Sequence, residues 1–156
     1  MKVYLGIGSN LGDRSLNIKE AVRLICELDH ISLVGQSPVI ETSPYGFVEQ
    51  PDFLNQVIAI DTTLTPSEVL KECRIIEKEL QRKKVIKWGP RTIDIDILFY
   101  SDLIFKDSEL EIPHPDLHNR LFVLSSMLEL DPEFRHPVLG KSIQEIYNKL
   151  KESKIQ

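Results

Sequence analysis

The feature that most constrains the fold is the order in which two hydrophobic periodicities follow one another along the chain. Short segments with β-branched, partly alternating apolar residues are typical of strands, and apolar residues at every third or fourth position are typical of helices. Strand-like segments occupy 3–7, 31–42, 53–62 and 93–100, and helical stripes begin near Leu16 and Pro66. The chain order is therefore β-α-β-β-α-β.

This order predicts an α+β fold with a ferredoxin-like βαββαβ core, an antiparallel sheet and helices on both of its faces. After the core we expect a short C-terminal hairpin within 103–112 and two additional helices at 121–130 and 142–151. A length of 156 residues without a repeat or an internal linker suits one domain that spans residues 1–156.

The starts of the first two helices carry recognisable caps. Asp13 or Ser15 can accept a hydrogen bond from the first turn of the first helix. Before the second helix, Thr65 with Glu68 three residues later has the spacing of a capping box.

Composition indicates an ordinary globular protein of the cytoplasm. The chain is 42% hydrophobic and 28% charged, and no segment approaches the roughly 18 apolar residues of a membrane helix. Cys26 and Cys73 lie in helical patterns, so we expect both to be buried, reduced thiols. The net charge of −5 argues against a nucleic-acid partner, and we expect a monomer that binds neither nucleic acid nor a membrane.

The sharpest local motif is the acidic strand Ile93-Asp94-Ile95-Asp96-Ile97. Because side chains alternate along a strand, Asp94 and Asp96 share one face, with Cα atoms about 7 Å apart, and the isoleucines share the other. Paired carboxylates suit magnesium, which takes oxygen ligands and often keeps substrate phosphates in its shell. A solvated strand face on which the acids only aid solubility is the alternative.

A cationic segment precedes this strand. It contains Arg82, Lys83, Lys84, Lys87 and Arg91 and no acid. Gly89-Pro90 predicts a turn that brings Arg91 near the acids, where guanidinium groups can grip polyphosphate oxygens. Cations for phosphate beside acids for metal are what phosphoryl transfer requires. A solvated surface run is the alternative.

At this point the chain resembles a known family. KWGPRTIDIDILFY at 87–100 is similar to the signature of the 6-hydroxymethyl-7,8-dihydropterin pyrophosphokinases of folate biosynthesis. Further similar segments occur in the same order: GIGSNLGDR at 6–14, ETSPYG at 41–46, EQPDFLNQV ending at Val57, and IPHPDLHNRLFVL at 112–124. The resemblance covers nearly the whole chain. It implies transfer of the pyrophosphoryl group of ATP to the hydroxymethyl oxygen of the pterin, with release of AMP.

The resemblance also implies roles for individual residues of the ATP side. Asp94 and Asp96 would hold two magnesium ions and, with Arg82 and Arg91, act as the catalytic residues. The implied ATP-binding residues are Arg82, Lys84, Trp88, Arg91, Ile97 and His114. A loop histidine without a function is the alternative for His114.

On the pterin side, the resemblance implies stacking of Phe53 and Phe122 on the two faces of the ring and reading of its edge by Asn55. The other implied substrate-binding residues are Thr42, Pro44, Tyr45 and Arg120. Alternatively, both phenylalanines belong to the core and Asn55 is a turn residue. The loops 43–52 and 82–92 are expected to close over the substrates.

The chain departs from the family pattern at a few positions. Gln81 stands where glycine is frequent, and Lys84 stands where arginine is usual, which puts loop closure and ATP affinity in question because lysine lacks a bidentate grip. Two rival functions share some of these features. A two-metal phosphohydrolase or nuclease needs the acids and cations but no aromatic slot, and an RNA-binding ferredoxin-like domain needs exposed aromatics on a basic sheet.

Overall fold

A computed structural model describes residues 1–43, 49, 51–81 and 92–155. Its strands are β1 Lys2–Ser9, β2 Ile31–Gln36, β3 Ile40–Thr42, β4 Phe53–Thr62, β5 Asp94–Tyr100, β6 Phe105–Lys106 and β7 Glu111–Ile112. Its α-helices are α1 Arg14–Cys26, α2 Pro66–Leu80, α3 Leu121–Leu130 and α4 Ile143–Ile155, and a 3₁₀ turn spans Leu117–Asn119.

The main sheet has the order β2-β4-β1-β5, and β3 adds to it by pairing with β4. All these pairings are antiparallel. With the helices in their chain positions, this is the order of a ferredoxin-like βαββαβ fold, which confirms the predicted fold class. The hairpin between β6 and β7 and the two C-terminal helices also form as predicted.

Three predicted boundaries were wrong. The expected strand 31–42 is two strands, because Ser37 turns its backbone and hydroxyl onto Val57 of β4 and Pro38 has no N–H for a ladder. The first strand continues through Ser9, so Gly8 lies inside the strand and not in the following turn. The fourth helix runs to Ile155, beyond the predicted end at Lys151.

Helices cover both faces of the sheet, as predicted. On one face, Val3, Leu5 and Ile7 of β1 join a buried cluster with apolar residues of α1 and α2. On the other, Tyr4 joins a second cluster with residues of α3 and α4. Strand alternation explains the division, since odd positions of β1 face the first cluster and position 4 faces the second.

A β-bulge in β5 changes the alternation within that strand. Leu5 pairs with Ile97 and Tyr4 pairs with Phe99, so Leu98 is the extra residue. Ile97 therefore faces the first cluster, whereas Leu98 and Phe99 both face the second. Before the bulge the strand keeps the predicted alternation, and Asp94 and Asp96 lie on the face opposite to the isoleucines.

The helix caps form as predicted, but one of the two cysteines is not buried as predicted. Asp13 accepts from the backbone N–H of Leu16, and Thr65 with Glu68 forms a complete capping box. Cys73 is buried, but Cys26 is exposed, which contradicts its prediction. Cys26 follows the buried Ile25 and is rotated by about 100° from it around α1, away from the sheet.

Within the residues that the structure describes, none of the helices combines the length and the apolar character that a membrane crossing requires.

The sheet interior should dominate the stability of the fold. Replacement of the fully buried Ile60 in β4 by alanine should lower the free energy of unfolding by about 2–5 kcal/mol, because it leaves a cavity between sheet and helices. Val34→Ala on the neighbouring strand, where the side chain is 54% exposed, should change it by less than about 0.5 kcal/mol. Urea unfolding measures both, and equal losses would contradict this account of the core.

Candidate functional site

Two glycines of β1 form the floor of the candidate site. Gly8 is paired with Asn55 of β4 on one side and with Asp94 of β5 on the other, and Gly6 is paired with Asp96. Paired residues of an antiparallel sheet project to the same face, and strands lie about 4.8 Å apart, so the Cα atoms of Asp94 and Asn55 are about 10 Å apart. Because the strand between them has no side chains at these positions, the gap is open to a ligand.

Asp94 and Asp96 both lie on this face, and both are half-buried. Burial, and then the neighbouring charge of Asp94, raise the pKa of Asp96 to about 7. The charges of Arg120 and Arg74 oppose this rise but do not cancel it. The acid pair therefore favours a cation beside it.

Arg120 and His114 border the acids on the side of α3. Arg120 directly precedes α3, with its Nε 3.7 Å from a carboxylate oxygen of Asp116. The backbone N–H of His114 donates to the carbonyl of Leu98 at 3.0 Å, which anchors it to β5. Burial, and then the charge of Arg120, lower the pKa of His114. Both effects favour the neutral imidazole of His114.

The protonated nitrogen of that imidazole can be assigned from its contacts. The Nδ1 atom of His114 accepts a hydrogen bond from the backbone N–H of Asp116 at 3.3 Å. The neutral ring then carries its proton on Nε2, which is available as a donor. The Nε2–H of His114 can therefore donate a hydrogen bond to a phosphate oxygen.

Across the glycine floor lies a polar pair from β3 and β4. The side-chain amide of Asn55 donates to the hydroxyl of Thr42 at 2.6 Å. A Cβ atom built on Gly8 would lie 3.0 Å from Oδ1 of Asn55 and 3.5 Å from a ring carbon of Phe53. The amide, the phenylalanine ring and the glycine floor therefore adjoin one another, and Asn55 is a buried strand residue, not a turn residue.

Phe53 and Phe122 are both half-buried and both belong to this face of the sheet. Phe122 lies at the edge of the second cluster, to which α3 contributes. Among the residues that the structure describes, neither ring stacks on another aromatic ring. Neither is thus an enclosed core side chain, and both have ring surface to offer a flat ligand.

The outer edge of β5 is held by side chains of α2 that the sequence reasoning missed. Glu77 accepts from the backbone N–H of Ile95 at 2.8 Å, and Arg74 donates to the carbonyl of Ile95 at 3.1 Å and to Glu77. Gln81 donates to the carbonyl of Ile93. Arg74 and Glu77 lie on one face of α2, and Gln81, its C-cap, continues the same helical spacing, which is the signal that identifies them. The backbone between the two acids is thereby clamped.

The predicted site residue Ile97 has its side chain in the first core cluster, on the face away from the acids. Its backbone N–H and C=O, two residues beyond those of Ile95, face the same outer edge of β5. A cavity of about 570 Å³ lies alongside, lined by Leu70 and Arg74 of α2 and by Glu109 and Leu110 of the hairpin.

Six predicted site residues lie outside the described part of the chain. They are Pro44, Tyr45, Arg82, Lys84, Trp88 and Arg91. The predicted closure of the two loops that contain them also lies outside it. Their roles stay predictions.

The described residues could hold magnesium only together with the substrate, because they supply too few ligands to complete its coordination shell by themselves. They contain no cluster of three or more His, Cys, Asp or Glu side chains able to hold a metal. Magnesium usually takes one or two carboxylates and completes its shell with water and substrate phosphates, so the half-buried pair Asp94 and Asp96 suffices.

Comparison with known proteins identifies the family of the chain. Residues 4–132 match the family model described as 7,8-dihydro-6-hydroxymethylpterin-pyrophosphokinase. A relative from Aquifex aeolicus, named 2-amino-4-hydroxy-6-hydroxymethyldihydropteridine pyrophosphokinase, is 43% identical over 143 residues, which cover 92% of this chain and 88% of the relative. The folic acid synthesis protein fol1 of Schizosaccharomyces pombe is 40% identical over 147 residues, which cover 94% of this chain.

Several relatives are longer than this chain. The match spans 20% of the fission yeast protein. Among solved structures, Plasmodium falciparum HPPK-DHPS matches with a TM-score of 0.76 at 17% identity, over 97% of this chain and 46% of that one. This likeness supports the fold, and the family model and the Aquifex relative supply the assignment. The chain belongs to the 7,8-dihydro-6-hydroxymethylpterin-pyrophosphokinase family.

Proposed function

We propose that this protein transfers the pyrophosphoryl group of ATP to the hydroxymethyl oxygen of 6-hydroxymethyl-7,8-dihydropterin, in folate biosynthesis. The observation that carries the proposal is the arrangement across Gly8. An acid pair suited to a metal-bound polyphosphate and an Asn–Thr pair suited to a heterocycle edge face the same gap.

The pterin is proposed to occupy the side of β4. The Asn55 amide offers both a donor and an acceptor to the ring edge, and Thr42 orients it. Phe53 and Phe122 would cover the two faces of the ring by offset stacking. Pro44 and Tyr45, matched through the resemblance, would complete the edge contacts.

The triphosphate is proposed to occupy the side of β5. Magnesium ions held by Asp94 and Asp96 would neutralise charge on the phosphate oxygens. Arg120 and the Nε2–H of His114 lie beside the acids as donors to the same oxygens. Arg82, Lys84, Trp88 and Arg91, matched through the resemblance, are also proposed to bind the nucleotide.

The base of ATP is proposed to lie along the outer edge of β5. The backbone groups of Ile97 face this edge and can read a purine without using the buried side chain. The cavity between α2 and the hairpin, with the apolar Leu70 and Leu110 among its lining residues, provides room for a ring. This interpretation makes Ile97 an ATP-binding residue through its backbone.

In the reaction, the hydroxymethyl oxygen forms a bond to the β-phosphorus while the bond between this phosphorus and the α,β-bridging oxygen breaks. AMP leaves with the bridging oxygen, and the proton of the attacking hydroxyl group is released to solvent. The residues of the chain position the two substrates and stabilise charge, and a loose transition state needs little help from a general base. His114 is not required as that base, since its contacts make it a donor.

The rival functions explain less of the geometry. A phosphohydrolase accounts for the acids but leaves the Asn55–Thr42 pair and two unstacked phenylalanine rings without a function. An RNA-binding sheet needs an open face, and here helices cover both faces. A cytoplasmic location and a monomeric state stay predictions, which cell fractionation and size-exclusion chromatography can test.

The decisive assay measures AMP release. With ATP, magnesium and 6-hydroxymethyl-7,8-dihydropterin, the purified protein should form AMP and the pterin diphosphate in equal amounts, as followed by chromatography. Without pterin, AMP release should be far slower. Equal AMP release in both reactions would favour the phosphohydrolase and overturn the proposal.

Asp96→Asn should remove turnover without unfolding the protein. The change deletes one of two repelling carboxylates, so the melting temperature of the metal-free protein should stay the same or rise, while kcat should fall about a hundredfold or more. Asp61→Asn, on the far end of β4, is the matched loss of an exposed acid and should keep kcat. An unfolded Asp96→Asn variant would instead indicate a structural role for the pair.

Gly8→Ala should selectively weaken pterin binding. The new methyl group would approach Oδ1 of Asn55 to 3.0 Å and push the amide from its position. KM for the pterin should rise severalfold, with a much smaller change in KM for ATP. Gly6→Ala is the control, because the three atoms nearest to its methyl group all belong to the Leu98 side chain and the closest lies at an ordinary 3.5 Å. An unchanged KM for pterin in Gly8→Ala would contradict the proposed pterin position.

A further inference from the structure

Arg14, the first residue of α1, joins two distant segments of the chain. Its Nη1 atom donates to Oε2 of Glu41 at 2.7 Å and to the backbone carbonyl of Asp52 at 2.9 Å. Glu41 and Asp52 lie 27 and 38 positions after Arg14 in the sequence. One guanidinium nitrogen thus links α1 to the middle residue of β3 and to the residue before β4.

The two segments that Arg14 links lead directly into the proposed pterin site. Glu41 precedes Thr42, and Asp52 precedes Phe53. Thr42 and Phe53 are themselves the last pair in the β3–β4 register. Arg14 therefore holds the chain one residue away from two proposed pterin-contacting residues.

The β3–β4 ladder is weak at the Thr42–Phe53 pair, and the hydrogen bonds of Arg14 stabilise it there. β3 has three residues and, among the strands in the described part of the chain, β4 is its one partner. The final pair of a short antiparallel ladder opens easily, because few hydrogen bonds hold it. Opening there would move the Thr42 hydroxyl that orients the Asn55 amide.

Asn10 supports the same region from the turn before α1. It is 1% exposed, and its side-chain amide donates to the carbonyl of Pro51 at 3.1 Å. Pro51 and Asp52 are thus both hydrogen-bonded through their carbonyls to the segment 10–14. Two consecutive carbonyls held in this way fix the direction in which the chain enters Phe53.

The ion pair of Arg14 with Glu41 is not suited to a large effect on global stability. The side chains are 31% and 54% exposed, and pairs with this exposure add little to the free energy of unfolding. Arg23, also on α1, forms comparable pairs with Glu20 and Glu27 within the helix. Arg14 differs from Arg23 because its partners belong to segments far from α1 in the sequence, which lead into the proposed pterin site.

We propose that Arg14 is a positioning residue for the pterin. It acts through Glu41 and Asp52 on Thr42, Phe53 and Asn55, and touches no substrate itself. This inference rests on the proposed function, because it needs the pterin to lie against Thr42 and Asn55.

The test compares Arg14→Ala with Arg23→Ala, a loss of the same charge and of an exposed ion pair on the same helix. The dissociation constant of 6-hydroxymethyl-7,8-dihydropterin is measured by calorimetry at a saturating concentration of magnesium and an ATP analogue whose α,β-bridging atom is carbon. The affinity for the analogue and the melting temperature are measured alongside.

Arg14→Ala should weaken pterin binding about five- to tenfold, as expected for loss of one orienting hydrogen bond, with analogue affinity unchanged. Arg23→Ala should leave pterin binding unchanged and shift the melting temperature to a similar extent. Arg14→Lys should retain most of the pterin affinity, since both contacts come from one nitrogen, which an ammonium group with several donors can replace.

The outcomes separate the two hypotheses. Wild-type protein that binds no pterin would overturn the proposed function itself. Wild-type protein that binds pterin, with Arg14→Ala binding it as tightly as Arg23→Ala, would overturn the positioning role alone. Equal weakening of pterin and analogue binding would likewise overturn it, since that result indicates a general structural effect.

Discussion

Antiparallel pairing of β1 with both β4 and β5 is the constraint on which the site depends. The register sets Gly8 between Asn55 and Asp94 and sets Gly6 beside Asp96. Since paired residues point to the same face, acids, glycines and amide share one surface. A slip of one residue in either pairing would turn the acids or the amide into the opposite core. The buried alternation of β1 makes such a slip costly, so the core protects the site.

The electrostatics of the site follow from that placement. Burial and mutual repulsion raise the pKa of Asp96, and the clamp of Arg74 and Glu77 on Ile95 keeps the backbone between the acids in place. The acids therefore cannot separate by relaxing the strand edge. A divalent cation with phosphate oxygens would relieve this repulsion, which supports the proposal that the pair holds magnesium.

Particular elements show how far the sequence could be interpreted. The strand 53–62, the helix Pro66–Leu80 and the helix Leu121–Leu130 form at their predicted residues, because hydrophobic periodicity marks all three and a capping box fixes the start of the helix Pro66–Leu80. The predicted strand 31–42 failed at Ser37 and Pro38, where hydrogen bonds to β4 decide the chain path. The exposure of Cys26 and the α2 clamp on β5 were also missed, since both depend on which face of a helix meets the sheet.

The amino-acid pattern alone was enough to predict the fold class, the family resemblance and the shared face of Asp94 and Asp96, because these follow from local periodicity and from motifs of neighbouring residues. The folded chain was needed to find that Gly6 and Gly8 separate the acids from Asn55, that the Ile97 side chain faces the core, and that Arg14 reaches Glu41 and Asp52. Those relations join residues far apart in the chain. They depend on strand register and helix packing, which no local pattern specifies.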